Sequence, residues 1–147
     1  MNPGSASIAI NRPRGGSFLC IHSAYDTHIL GISPDLPYSE RLRCLIDHGI
    51  ALWDVCASAE RRGSLDSAIR HPTVVPNDFA AFLASQPGIA LIGFNGAKAE
   101  GLFRGLVLSG MPALEQDIRL QRLPSTSPAH AAMPFQQKLG QWSMILL

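Results

Sequence analysis

Cysteine is scarce and unpatterned here. Cys20, Cys44 and Cys56 are the only three in 147 residues, and no two form a Cys-x-x-Cys. This argues against a disulfide framework, a zinc site and a four-cysteine iron–sulfur cluster, so no metal and no cofactor is expected. Reduced, buried thiols in a cytosolic protein are the simpler reading. An excess of one charge is also missing. Twelve Lys and Arg face eleven Asp and Glu, for a formal charge of +1. Bulk electrostatics therefore speak neither for nor against nucleic acid, and a DNA partner would have to be held by a local patch. No apolar run approaches the ~20 residues of a membrane span. The N-terminus lacks a charged-then-apolar signal pattern, so a cytoplasmic location without membrane contact is expected. Gly-x-Ser-x-Gly is absent, which disfavours a serine hydrolase. Gly-x-Gly-x-x-Gly is absent too, which disfavours an unrelated nucleotide-binding module. Trp53 and Trp142 are spaced as core residues and form no stacking platform for single strands.

The chain has the length and apolar content of one domain, 1–147. Residues 1–32 differ from the rest. They mix Gly, Ser, Pro and Arg with two short apolar pieces, Ile8–Ile10 and Phe18–Ile21, either of which could be a strand. Regular order is expected from Pro34. Ser39 is a candidate N-cap for a helix through Leu42, Leu45 and Ile46 that Gly49 stops. Ile50–Cys56 is apolar without alternation, as suits a strand covered on both faces. A polar loop, Ala57 to Pro76, carries Arg61 and Arg62. Asn77-Asp78 caps a helix through Phe82 and Leu83, and Ile89–Phe94 is a second buried strand. A helix over Ala97–Leu108, a strand over Ile118–Leu123 and a closing helix from about Pro134 to Ile145 complete the pattern. Alternating strands and helices indicate an α/β protein with a mainly parallel sheet, whose ligands bind beyond the carboxyl ends of the strands.

Three features fall at those ends. Asp54 interrupts an apolar strand, where an unpaired carboxylate is costly. It either anchors the adjoining loop or faces a site. Asn95-Gly96 is either an ordinary turn or an amide placed to read a base edge, beside a glycine that admits a planar ligand. Leu123-Pro124-Ser125-Thr126-Ser127-Pro128-Ala129-His130 is a proline-stiffened loop rich in hydrogen-bonding groups. Arg61-Arg62 and Lys98 are either solvated or phosphate contacts.

Six segments together resemble the uracil-DNA glycosylase superfamily, in its DNA-deoxyinosine or hypoxanthine-DNA glycosylase branch. They are Leu36–Leu42, Gly49–Val55, Gly63–Arg70, Pro76–Phe79, Phe94–Ala99 and Leu123–Ala131, in the family's order and approximate spacing over residues 34–142. The resemblance implies a three-layer α/β/α domain around a four-stranded parallel sheet. It implies a monofunctional enzyme of base-excision repair, expected to be a monomer, with double-stranded DNA containing a deaminated base as its partner. Such an enzyme flips the base out of the duplex and hydrolyses its bond to the sugar without a metal. Carried over residue by residue, Asn95, with Gly96, is the base-reading amide. Asp54 stands where related branches place a base-recognising Asn, and is the candidate catalytic carboxylate. Ser125, Thr126 and Ser127 belong to the DNA-engaging loop, with His130 either a second contact or a helix-capping residue. Lys98 and Arg61 are further DNA-binding candidates. Leu123 occupies the position of a family histidine that this branch commonly lacks.

The resemblance stops before about Gly31. The family opens with a central buried strand ending in a Gly-Ser-Met/Phe-Pro-like motif, followed by a His-Pro-x-Asn-x-Phe-Trp segment that positions the hydrolytic water. Here Gly16-Ser17-Phe18 is followed by Leu19, and the Asn-x-Phe-Trp segment is absent. A frame-shifted or misassigned start would give such an abrupt boundary, with the missing motif encoded upstream in another frame. Either Ile8–Ile10 or Phe18–Ile21 is then required to fill the central strand position. Base recognition without hydrolysis is the second expected function.

Overall fold

The chain's apolar residues divide between two sides of one sheet. The computed structural model describes residues 7–11, 23–58, 74–127 and 130–146. Six strands run in chain order: β1 (Ser7–Asn11), β2 (Ile50–Asp54), β3 (Cys56–Ser58), β4 (Val75–Pro76), β5 (Leu91–Asn95) and β6 (Arg119–Leu123). The helices are α1 (Ser23–Leu30), α2 (Tyr38–Asp47), α3 (Phe79–Ser85), α4 (Ala97–Leu106), α5 (Leu114–Asp117) and α6 (Phe135–Trp142). Four strands form the main sheet in the order β2-β1-β5-β6, and β3 pairs with β4 in a separate two-stranded ribbon.

Side chains alternate across a strand, so each strand serves both faces. Ile92 and Phe94 of β5 enter a core with Phe79 and Leu83 of α3, Leu102 and Phe103 of α4, and Leu114 of α5. Leu91 of the same strand enters the opposite core, with Ile32, Leu45 of α2, Leu123 of β6 and Trp142 of α6. Helices thus cover both faces, and the expected three-layer α/β/α arrangement is what forms. The first core is aromatic: Phe103 meets Phe79 edge-on at 5.1 Å, and Phe94 at 5.1 Å with a 49° tilt. Trp142 is fully buried as expected, while Trp53 is half-buried and stacks on Phe82 at 4.5 Å.

The direction of the first strand departs from expectation. Ile8–Ile10 does fill the central slot, but β1 runs antiparallel to both neighbours, pairing Ser7 with Asp54 and Ile8 with Phe94. Only β5 and β6 pair in parallel, from Leu91↔Arg119 to Asn95↔Leu123. Three strands therefore point one way and the central one points back. A short Ile-Ala-Ile run buries equally well in either sense, so its pattern carries no direction. The alternative piece, Phe18–Ile21, lies outside the described residues.

Other boundaries also move. Order does not wait for Pro34: α1 precedes it, with Ile29, Leu30 and Ile32 packed on the second core and Thr27 Oγ1 donating to the Ile32 carbonyl at 2.7 Å. Ser39 is not the cap of α2. Pro37 holds that position with an extended ψ of 146° and makes no side-chain cap, so Ser39 lies in the first turn. Asp78 does cap α3, accepting from the Ala81 N–H at 2.9 Å, a contact worth about 1 kcal/mol. Asn77 is used differently: its side-chain amide donates to the Asp54 carbonyl at 2.7 Å. The strand expected over Ile50–Cys56 ends at Asp54, and Cys56 opens β3. The helix expected to Leu108 ends at Leu106, and the closing helix gives way at Ser143 to a 3-10 turn.

The reversal of β1 is directly measurable. Cross-strand backbone contacts in solution are expected to join Ile8 to Phe94 and Ile10 to Ile92. A parallel strand would instead advance with β5, and its contacts would run in the opposite order.

Candidate functional site

Three strand ends meet on one edge of the sheet. Ile8 stands opposite both Trp53 and Phe94, so Asp54 and Asn95 finish level with each other on strands that flank β1. Two strand spacings separate them, about 10 Å. On the other side of Asn95 lies Leu123, its direct partner in the parallel ladder and the start of the loop. Alternation gives Asp54 and Asn95 the same face, because Trp53 and Phe94 both pack into the first core. The expected convergence of Asp54, Asn95-Gly96 and the Ser125–His130 loop is therefore realised.

The loop is held mainly by contacts, more than by its prolines. Asn95 binds Thr126 at two points: Oδ1 accepts from the Thr126 N–H at 2.8 Å, and Nδ2 donates to Thr126 Oγ1 at 3.0 Å. Trp142 Nε1 donates to the Pro124 carbonyl at 2.8 Å. Lys138 Nζ donates to the Ser125 carbonyl at 3.0 Å and to the His130 carbonyl at 2.6 Å. Ser125 Oγ accepts from the Ser127 N–H at 3.2 Å, and the His130 N–H donates to the Ser127 carbonyl at 3.0 Å. Pro128 and Ala129 lie outside the described residues.

Gly96 serves the same assembly. Its φ of +88° and ψ of 171° suit glycine almost alone, and its N–H reaches the Leu123 carbonyl at 3.0 Å. A Cβ on Gly96 would sit 3.1 Å from the Ser125 Cβ. The close approach that this glycine permits is thus made by the loop.

The remaining candidates divide. Thr126, expected to face DNA, is only 8% exposed and its hydroxyl is given to Asn95. Ser125 and Ser127 are half-buried, and the His130 residue is exposed. His130 is not a cap: Pro134 holds the N-cap of α6, without a side-chain hydrogen bond. Lys98 is half-buried in the first turn of α4. Asp54 is half-buried, with its backbone carbonyl taken by Asn77. Arg61 lies outside the described residues. Among the described residues no three His, Cys, Asp or Glu side chains gather as a metal site requires. Nor is any helix among them long and apolar enough to cross a membrane.

Lys138 is the residue that sequence reasoning missed. It is 5% exposed, and burial lowers its pKa from the ordinary lysine value. Among the described residues no carboxylate pairs with it, and two loop carbonyls accept its hydrogen bonds. Its position in the first helical turn after a polar loop was the available signal. That turn would otherwise read as solvent-facing.

No protein-family model matches the chain. A hypoxanthine DNA glycosylase of Methanosarcina acetivorans is 40% identical over 75 residues, 49% of this chain and 46% of that protein. The chain thus spans about half the length of the curated relative it matches. The solution NMR structure of a Methanosarcina acetivorans protein, provisionally described as a uracil DNA glycosylase, superposes with a TM-score of 0.62. That match has 30% identity and covers 84% of this chain and 71% of the other. A parallel β5–β6 pair that sets an asparagine beside a tethered loop, on this fold and with these relatives, is that of the uracil-DNA glycosylase superfamily, to which the chain belongs.

Two substitutions test the assembly. Gly96→Ala is expected to cost about 1–3 kcal/mol in thermal or denaturant unfolding, from backbone strain and the Ser125 contact. Lys138→Met is expected to loosen the loop, seen as faster amide exchange at Ser127 and His130. Because the folded pKa of Lys138 lies below the unfolded value, the unfolded chain binds the proton more tightly between the two. Wild-type stability relative to Lys138→Met should therefore rise as pH is raised toward 10.5.

Proposed function

We propose that the protein is a DNA glycosylase of base-excision repair that flips a deaminated base, hypoxanthine or uracil, out of the duplex and hydrolyses its N-glycosidic bond. The observation that carries this reading is the Asn95–loop assembly at the carboxyl edge of the sheet. It joins a base-reading amide to a chain segment able to lie along a DNA backbone. Extraction is needed because the bond is unreachable inside the stack, and a mispaired base costs less to remove than a paired one. As the bond breaks, negative charge develops on the base and positive charge on the sugar, so fixed donors near the base and a held water near the sugar lower the barrier. Asn95 supplies the donor. Ser125, Ser127 and His130 contact the backbone of the flipped strand, with Lys98 and Arg61 as further phosphate contacts. Asp54, level with Asn95, is the candidate carboxylate for orienting water. The protein works on double-stranded DNA as a monomer, in the cytoplasm, without metal or cofactor.

A second reading has an observation of its own. The chain after β1 leaves at Asn11, opposite Ile50 and Leu91, which is the edge away from Asp54 and Asn95. A water-positioning segment that followed this strand would thus emerge on the wrong side. This favours a homologue that binds a damaged base without cleaving.

Incubating the protein with duplexes carrying one hypoxanthine or uracil, followed by alkali, separates the two. Strand cleavage above background is the expected result for the enzyme. Damage-selective binding with no cleavage supports the second reading. Asn95→Ala is expected to reduce the preference for damaged DNA about tenfold or more under both. An unchanged preference would remove Asn95 from the role.

A further inference from the structure

We infer that Thr126 sets the hydrogen-bonding sense of Asn95 and thereby selects keto-bearing bases over their amino-bearing parents. The inference rests on the proposed base-reading role of Asn95 and deepens it.

A primary amide is nearly symmetric in shape. Turned over about its side-chain axis, it exchanges a donor for an acceptor at almost no steric cost. An asparagine left to itself can therefore satisfy either of two opposite patterns. Hypoxanthine and uracil present a keto oxygen beside a ring N–H. Adenine and cytosine present an amino group beside a bare ring nitrogen. Deamination converts the second pattern into the first, so discriminating them requires an amide that cannot turn over.

The Thr126 backbone supplies that restraint. A backbone N–H can only donate, so the atom 2.8 Å from it must be the Asn95 oxygen. The nitrogen is then forced to the other side, where it donates to Thr126 Oγ1 at 3.0 Å. Turning the amide over would set an N–H against an N–H in a site where Thr126 is only 8% exposed, leaving both donors unsatisfied. The backbone of the loop is itself fixed on either side of Thr126: before it, through the Pro124 and Ser125 carbonyls held by Trp142 and Lys138, and after it, through the His130 carbonyl held by Lys138. The lock therefore does not drift.

The two contacts have different fates when a base enters. The N–H contact belongs to the fixed backbone and persists. The hydroxyl is on a side chain that can rotate, and its oxygen occupies the place on Nδ2 that a keto oxygen would take. Thr126 is thus a positioning residue: its N–H fixes the sense of the amide, and its hydroxyl occupies the donor until a base displaces it.

The test measures binding of the full chain by fluorescence anisotropy, on duplexes whose target nucleotide carries a 2′-fluoro sugar to resist cleavage. Hypoxanthine is compared with adenine, and uracil with cytosine. Thr126→Val removes the displaceable acceptor and leaves the N–H, so the preference for the deaminated base is expected to hold or to rise by up to about tenfold. Asn95→Asp can still accept from Thr126 N–H and hydroxyl. It is expected to melt like the wild type and yet lose the preference by about tenfold or more. A Thr126→Val preference that falls as far as that of Asn95→Ala overturns the inference. In the wild type, bound DNA should shift the Thr126 methyl resonance while the Thr126 amide stays protected from exchange; loss of that protection on binding also overturns it. An Asn95→Ala preference equal to wild type would instead bring down the base-reading role itself.

Discussion

The structure turns on a two-point hydrogen bond between Asn95 and Thr126. It joins the last residue of β5 to the loop that leaves β6. Each partner lies in a poorly solvated place, so breaking one contact exposes the other's unmet donor or acceptor, a penalty of about 1–3 kcal/mol per group. The parallel ladder makes the contact geometrically available, since Asn95 and Leu123 are direct partners and Thr126 follows three residues on. Gly96 completes it by letting Ser125 come close. Strand register, glycine and amide thus act as one unit.

The burial of Lys138 has the same logic on a larger scale. Removing an ammonium from water is expensive, and the lowered pKa records the cost. Two carbonyls five residues apart along the loop offset it in part, drawing the Ser125 and His130 ends toward one point on α6. A chain segment held this way keeps its backbone in place before any ligand arrives. Binding then need not spend its own free energy on ordering the loop.

Much of this was legible in the residues. Apolar runs at Ile50 and Ile89, each ended by a polar or glycine residue, located the strands whose carboxyl ends form the edge. Asp54, Asn95-Gly96 and the Leu123–His130 stretch stand out because they fall at the carboxyl ends of strands, where a structural role and a site are both open to polar groups. What stayed hidden depends on partners distant in sequence. Thr126 read as one of several loop hydroxyls, because its burial comes from Asn95, 31 residues earlier. Lys138 drew no notice in the sequence, because only the returning loop desolvates it. Ser39 looked like a cap until Pro37, extended and unable to continue a helix backward, took the position. The direction of β1 could not be read at all. A five-residue strand with an Ile-Ala-Ile centre presents the same surface to the sheet whichever way it runs, and its connections decide.

That last point separates recognition from chemistry. Everything that fixes Asn95 comes from β5, β6, the loop and α6. β6 and the loop that leaves it lie on the side of β5 away from β1 and β2. The antiparallel direction of β1 sends its following chain to the edge opposite Asp54 and Asn95. What changes is which residues reach the vicinity of Asp54: Ser7 stands there in place of the carboxyl end of the strand. A site assembled from two halves of the sheet can keep one function while its other half is redirected. In this chain the half proposed to read a base is the one held by the Asn95–Thr126 and Lys138 contacts.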